Sequence, residues 1–210
     1  MIRPPGMRGA AFGTAADGNG RDDLSARRAI SRDLGIPDGW AWLHQVHGAA
    51  VLAAAAPGLQ GEADALFTGH AGLPLAVATA DCVPVILEAE TAVGIAHAGW
   101  RGVVAGVVPA LYEAMAEAGF RPSRAAVGPA IGPCCYEVGH DVAERFDPSR
   151  VGVTRRGTPG VDLAGAVADQ LPDTSVWSAA ACTRCSGEFH SYRETGTRQR
   201  QVSVAWLPIG

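Results

Sequence analysis

Two histidines and one cysteine hold positions from which a scaffold can present reactive groups. His47 closes the strand-like segment His44-Gln45-Val46-His47-Gly48. Cys82 follows Thr79-Ala80-Asp81 at the break between two apolar runs, and His97 ends a strand and opens Ala98-Gly99-Trp100-Arg101-Gly102, just ahead of a helix. All three lie beside small residues at strand ends, where loops carry reactive groups on a rigid support. Imidazoles and a thiolate with a fourth position left open match the donor types of catalytic zinc sites. The alternative is plain packing. A free cysteine is commonly a small buried hydrophobe, and the long spacing identifies no site by itself.

The cations available to such a site are all arginines, because the chain contains no lysine. That absence excludes Schiff-base and pyridoxal-phosphate chemistry and the phosphate-binding lysine of a P-loop. Arg101, beside His97 at a helix start, is the best-placed ligand for an anion. A pairing with a carboxylate or with carbonyls is its structural alternative. A Cys-His-Asn site would have to use Asn19, the one asparagine in the chain. Asp81 could orient a metal ligand from behind or cap a turn. Cys134-Cys135 and Cys182-Thr183-Arg184-Cys185 supply four more thiols. One C-x-x-C and a vicinal pair is poor spacing for a structural zinc site, which normally combines two spaced motifs. These thiols are therefore expected to be reduced and free of metal.

Length and charge narrow the function classes. A chain of 210 residues, 48% of them apolar, can bury a sizeable core. The formal charge of −4 suggests no basic stripe for nucleic acid. No run approaches the roughly 18 apolar residues of a spanning helix, and MIRPPGMRGAAFG lacks the apolar stretch of a secretory signal. Five cysteines, an odd count, argue against a secreted disulfide framework. The expectation is a cytoplasmic protein that meets a small molecule rather than nucleic acid or membrane.

The elements that must position these residues follow from periodicity. No linker or repeat divides the chain, so residues 1–210 read as one domain. After a loop-like opening through Gly20, Leu24, Ile30 and Leu34 could share one face of a helix over about 22–34, ended by Gly35 and Pro37. Residues 40–47 read as a short strand. Between Leu73 and Ala98, the alternation of Leu75, Val77 and Thr79 and two apolar runs predict two or three strands, the last two a hairpin. Val104, Val107, Val108, Leu111 and Met115 recur at helical spacing up to Gly119, with Pro109 able to kink that helix or move its start. A strand is expected at 124–127, helices near 138–146 and 162–171, the second capped by Asp162, and strands at 175–178 and 202–207. Strands and helices mix without regular alternation. This favours an α+β fold, mixed β-sheets packed with flanking helices, over a doubly wound parallel sheet.

The strings LHQVHG, ADALFTG, LAVATADCVPVIL, VGIAHAGWRG, VGPAIGPCCYEVG and CTRCSGEFHSYRETGTRQRQVSVAWL run in order from about residue 40 to the end. They resemble the family variously called YfiH-like, laccase-domain or multicopper polyphenol oxidase proteins. The resemblance implies a metal held by the second histidine of QVHG, the cysteine of ADC and the histidine of HAGWRG, here His47, Cys82 and His97. Arg193, in Phe189-His190-Ser191-Tyr192-Arg193, resembles the family's terminal F-x-S-x-R element and joins Arg101 as a candidate substrate ligand. Cys134, Cys135 and Cys182 fall within the family strings, Cys185 is extra, and His70 reads as a loop histidine. The stretch Gly9 to Gly20 is shorter than in relatives and lacks their serine-leucine-asparagine and glycine-histidine-valine elements.

The family's labels imply several reaction classes. A multicopper oxidase needs a blue-copper site and a trinuclear cluster, hence many histidines. The six present, with His44, His70, His140 and His190 scattered, are too few. A cysteine hydrolase editing peptidoglycan precursors would use Cys82 as thiolate and His97 or His47 as base, which a bound metal forbids. Purine nucleoside phosphorolysis with adenosine deamination beside it suits a single catalytic zinc. The H-x-E and P-C-x-x-C motifs of the zinc deaminases are not matched, so deamination would use an unrelated site. The expected function is therefore zinc-dependent, with copper the lesser candidate. It has His47, Cys82, His97 and Arg101 as catalytic residues, Arg101 and Arg193 on substrate, and a purine nucleoside and phosphate as substrates. A metal-binding regulator without catalysis is the third class.

Overall fold

The computed structural model describes residues 1–171 and 174–209. Strand β1 (Ala10–Phe12) lies in the opening segment, ahead of helix α1 (Leu24–Leu34). Seven strands follow without an intervening helix: β2 (Ala41–His44), β3 (Val51–Ala53), β4 (Gly58–Glu62), β5 (Ala65–Thr68), β6 (Leu75–Thr79), β7 (Val83–Glu88) and β8 (Val93–Ala98). Helices α2 (Trp100–Val104) and α3 (Val107–Glu117) lead to β9 (Arg124–Val127) and α4 (His140–Ala143). The chain closes with β10 (Val151–Val153), β11 (Pro159–Val161), α5 (Leu163–Asp169), β12 (Ser175–Ser178), α6 (Tyr192–Thr195) and β13 (Gln201–Ala205).

Two sheets carry the fold, in the orders β1-β13-β6-β2-β4 and β12-β9-β7-β8-β5-β3, with β10 and β11 as a separate pair. Both sheets are mixed: β2 runs parallel to β4 and β6, and β7 antiparallel to β8 and β9, whereas β9 and β12 are parallel. Side chains alternate along a strand. Ile86 of β7 therefore lies between the sheets with Leu43, Leu75, Val77 and Ile95. Its neighbours Val83, Val85 and Leu87 pack with Val107, Val108, Leu111 and Met115 of α3. Beyond the other sheet, Ile30 and Leu34 of α1 pack against Trp40, Ala76, Val202 and Val204. The layers run helix, sheet, sheet, helix, an α+β fold with mixed sheets as the sequence leads one to expect. Gly94 lets α3 rest on β8, since a Cβ there would lie 2.7 Å from Met115 Sδ and 3.0 Å from Leu111 Cδ1. No described helix is long and apolar enough to cross a membrane.

Several local expectations need correction. The helix through Val104 and Met115 is two helices, because Gly106 at φ 79° breaks the chain between α2 and α3. Pro109 lies in the first turn of α3, where a helix has no use for its N–H. Leu24 is 50% exposed, since it is the first residue of α1 and only Ile30 and Leu34 reach the core. The strand expected to run through His47 stops at His44. Gln45 turns its side-chain amide onto the backbone of Ala78, at 2.9 and 3.0 Å, and His47 has a left-handed φ of 63° that no strand accepts. The helix expected near 138–146 narrows to α4. The opening is not all loop: β1 pairs antiparallel with β13.

Candidate functional site

Strand register brings the three donors together. Val83 pairs with Ala98 and Pro84 with His97, so Cys82, just before β7, meets His97, near the end of β8. His97 has the parity of Val93 and Ile95, which places its side chain in the layer between the sheets. His47 arrives from the turn after β2, and that turn is built on Asp64. The buried Asp64 carboxylate accepts from the backbone N–H groups of Val46, His47 and Gly48 at 3.3, 3.0 and 2.6 Å. The same carboxylate lies 2.8 Å from His97 Nδ1, and its backbone carbonyl accepts from the His97 N–H at 2.7 Å.

One donor atom from each of His47, Cys82 and His97 lies within 4.8 Å of the others. The two imidazoles meet edge to face, with ring centroids 4.7 Å apart. Gly99 leaves room for this convergence, since a Cβ there would stand 2.9 Å from His47 Cδ2 and 3.2 Å from Cys82 Sγ. Burial pushes the Cys82 thiol up, but hydrogen bonds and charge from His97 and His47 outweigh it and bring it to about 6. Burial likewise opposes a charged His97, yet Asp64 and Cys82 raise it to about 9. Asp64 stays below the ordinary carboxylate range because its hydrogen bonds to His97 and to the backbone overcome its own burial. Three groups at the end of the sheets thus favour a thiolate beside an imidazolium held by a carboxylate.

This cluster lies in a cleft of about 510 Å³ lined by Arg21, Arg101, Arg193 and Arg200. Arg101 stacks on Trp100, 4.4 Å from its ring centroid, and among the described residues has no carboxylate within ion-pair distance. Arg193 is more committed. Its backbone N–H donates to Asp81 Oδ2 at 2.7 Å, its Nη1 donates to the Glu137 carbonyl at 2.6 Å, and its guanidinium lies over Tyr136. Asp81, at φ 89°, also accepts from Thr183 Oγ1 at 2.7 Å. It therefore fixes the C-terminal segment beside Cys82 rather than touching a donor itself. His44, His70, His140 and His190 do not line the cleft.

Sequence reasoning missed Asp64, Gly99, Arg21, Arg200 and Tyr136. Asp64 lay inside a quoted string with no spacing to His97 that periodicity could read, and Arg21 and Arg200 come from opposite ends of the chain. The spacing of the other cysteines gave no sign of their convergence: sulfurs of Cys134, Cys135, Cys182 and Cys185 all lie within 4.8 Å of one another.

A family model described as multi-copper polyphenol oxidoreductase laccase matches residues 12–208. Purine nucleoside phosphorylase SCO2081 of Streptomyces coelicolor is 41% identical over 198 residues, 86% of this chain and 81% of that protein. The purine nucleoside phosphorylase of Deinococcus radiodurans is 43% identical over 193 residues, 87% of this chain and 76% of that protein. Among solved structures, YlmD from Geobacillus stearothermophilus superposes with a TM-score of 0.86 at 28% identity, covering 100% of this chain and 98% of that one. YfiH from Bacillus licheniformis, at 24% identity and a TM-score of 0.84 over 94% and 92% of the two chains, has the same fold.

Proposed function

The chain belongs to the family described as multi-copper polyphenol oxidoreductase laccase, and within it we propose a zinc-dependent purine nucleoside phosphorylase of the cytoplasm, with adenosine deamination as a companion activity. One observation carries the reading: a cluster of two imidazoles and a thiolate lies in an arginine-lined cleft of about 510 Å³, a size suited to a nucleoside. Relatives at 41% and 43% identity bear the name purine nucleoside phosphorylase.

The donors suit a zinc ion. The Cys82 thiol, lowered to about 6, gives up its proton readily to a metal, and Asp64 occupies His97 Nδ1, so Nε2 is the atom that would bind an ion once its own proton is displaced. His47, Cys82 and His97 would hold the ion, and when bound it supplies a Lewis acid in the cleft. A cluster of three donors does not make a multicopper oxidase, which needs several histidine-rich centres.

Phosphorolysis joins a phosphate oxygen to ribose C1′ and breaks the bond from C1′ to the purine, which leaves with the electron pair. Arg101 binds the incoming phosphate, because its donors are unclaimed by any described carboxylate. Arg193, anchored through Asp81 and Glu137, lines the same cleft and is the second ligand for substrate. Asp64 orients His97 and the His47 turn together. In deamination, water enters at purine C6 and ammonia departs.

A specific observation favours a second reading. Cys82, His97 and Asp64 are arranged like a nucleophile, base and orienting carboxylate, the constellation of a cysteine hydrolase acting on peptidoglycan precursors. Steady-state kinetics with varied phosphate separates the two. Arg101→Ala should raise the phosphate KM about 10- to 100-fold and the nucleoside KM much less, from loss of a charge-assisted contact of about 1.5–3 kcal/mol. Release of an amino acid from a peptidoglycan precursor, with no nucleoside turnover, would replace the phosphorylase with the hydrolase.

A further inference from the structure

Cys134 and Cys135 lie in the turn after Gly132, where the N–H groups of Cys135 and Tyr136 both donate to the Gly132 carbonyl at 2.9 Å. Adjacent side chains in a strand point to opposite faces, but in such a turn they can converge on one point. Cys182 and Cys185 lie in a second tight turn, tied to the first by a bridge between Ala130 and Cys182. Gly132 N–H, from the first turn, donates to Cys182 Sγ at 3.2 Å.

The sulfur separations complete the picture. Cys134 Sγ lies 3.5 Å from Cys135 Sγ and 3.8 Å from Cys185 Sγ, and all four sulfurs lie within 4.8 Å of each other. A tetrahedral zinc ion with bonds of about 2.3 Å to sulfur needs edges of about 3.8 Å. Packing sets Cys135 in the core and Cys134 and Cys182 against it, but it does not account for the exposed Cys185 joining them. Nor are these disulfides, which require a separation of about 2.05 Å.

We propose that Cys134, Cys135, Cys182 and Cys185 form a second metal centre, a tetrathiolate zinc site that staples the two turns beside the cleft. All four coordination positions are filled by protein, so the site is structural and not catalytic. Its placement bears on the cleft. Thr183, between two of the thiols, holds Asp81, and Tyr136, next to Cys135, lines the wall under Arg193.

Zinc content of untagged Cys82→Ala protein, purified with zinc in the buffer, reads this centre alone. One zinc per chain is expected, falling at least tenfold when Cys134→Ser and Cys185→Ser are added. Native protein gives a second reading should a variant fail to fold. With cobalt(II) replacing zinc, it should show the intense sulfur-to-cobalt absorption of a tetrathiolate. Absorption of a single thiolate overturns the proposal, and so does Cys82→Ala protein that is free of zinc with four freely titrating thiols or a disulfide among them.

Discussion

The Asp64 carboxylate is fully buried and accepts from three backbone N–H groups while facing His97 Nδ1. One side chain thus sets the backbone of the His47 turn and the ring orientation of His97. Asp64→Asn keeps the shape but removes the charge and turns one acceptor into a donor. Zinc affinity should fall about 10- to 100-fold, and stability should fall by about 1–3 kcal/mol. Competition with a chelator and thermal unfolding read the two effects, and unchanged affinity would remove Asp64 from the site. The Cys82 thiol makes a separate prediction. Held at about 6, it is thiolate at lower pH than a free cysteine, so in metal-free protein its alkylation should reach half its maximal rate near pH 6. Mass mapping of the Cys82 peptide after brief iodoacetamide treatment measures this, and a midpoint of about 8.5, the ordinary thiol value, contradicts it. At this scale Cys82 and His97 were legible as strand-end residues, and His47 joined them through the family strings, since β2 stops at His44 and the spacing identified no site. Asp64 was not legible, because its partners lie far along the chain and only the pairing of β5 with β8 unites them.

The hairpin of β7 and β8 was readable from its apolar runs, and it is the element that joins Cys82 to His97. Strands β3, β4 and β10 were not, because they are short and none of their residues is fully buried, and the three residues of β11 are too few to show a period. The break between α2 and α3 was hidden for a different reason. Gly106 interrupts a continuous apolar stripe without changing its period. Two glycine substitutions test how the elements set the site. Gly99→Ala places a methyl 2.9 Å from His47 Cδ2 and 3.2 Å from Cys82 Sγ, so zinc at this cluster should be lost while the fold persists. Gly94→Ala places one 2.7 Å from Met115 Sδ and 3.0 Å from Leu111, under α3. It should cost about 1–3 kcal/mol by overpacking and lower Tm by roughly 2–4 °C per kcal/mol. Metal content and Tm, measured on both proteins, should therefore respond in opposite patterns.

Over the whole molecule, two mixed sheets packed face to face end in one arginine-lined cleft, and segments from both halves of the chain contribute to it. Arg21 follows the opening segment, and Arg193 and Arg200 belong to the C-terminal part. The mixed α+β class was visible in the irregular order of strands and helices, whereas the division of strands between two sheets was not. Consecutive β6 and β7 lie in different sheets, with the Asp81-Cys82 step between them. That step carries Cys82, and whether Cys82 is a metal ligand or a nucleophile decides the account. The most direct measurement follows inosine through native, untagged protein with phosphate present, before and after chelation and before and after iodoacetamide treatment. The account predicts hypoxanthine and ribose 1-phosphate in equal amounts, no turnover without phosphate, loss of turnover on chelation, and resistance to alkylation while metal is bound. Turnover that survives chelation and is abolished by iodoacetamide would contradict it.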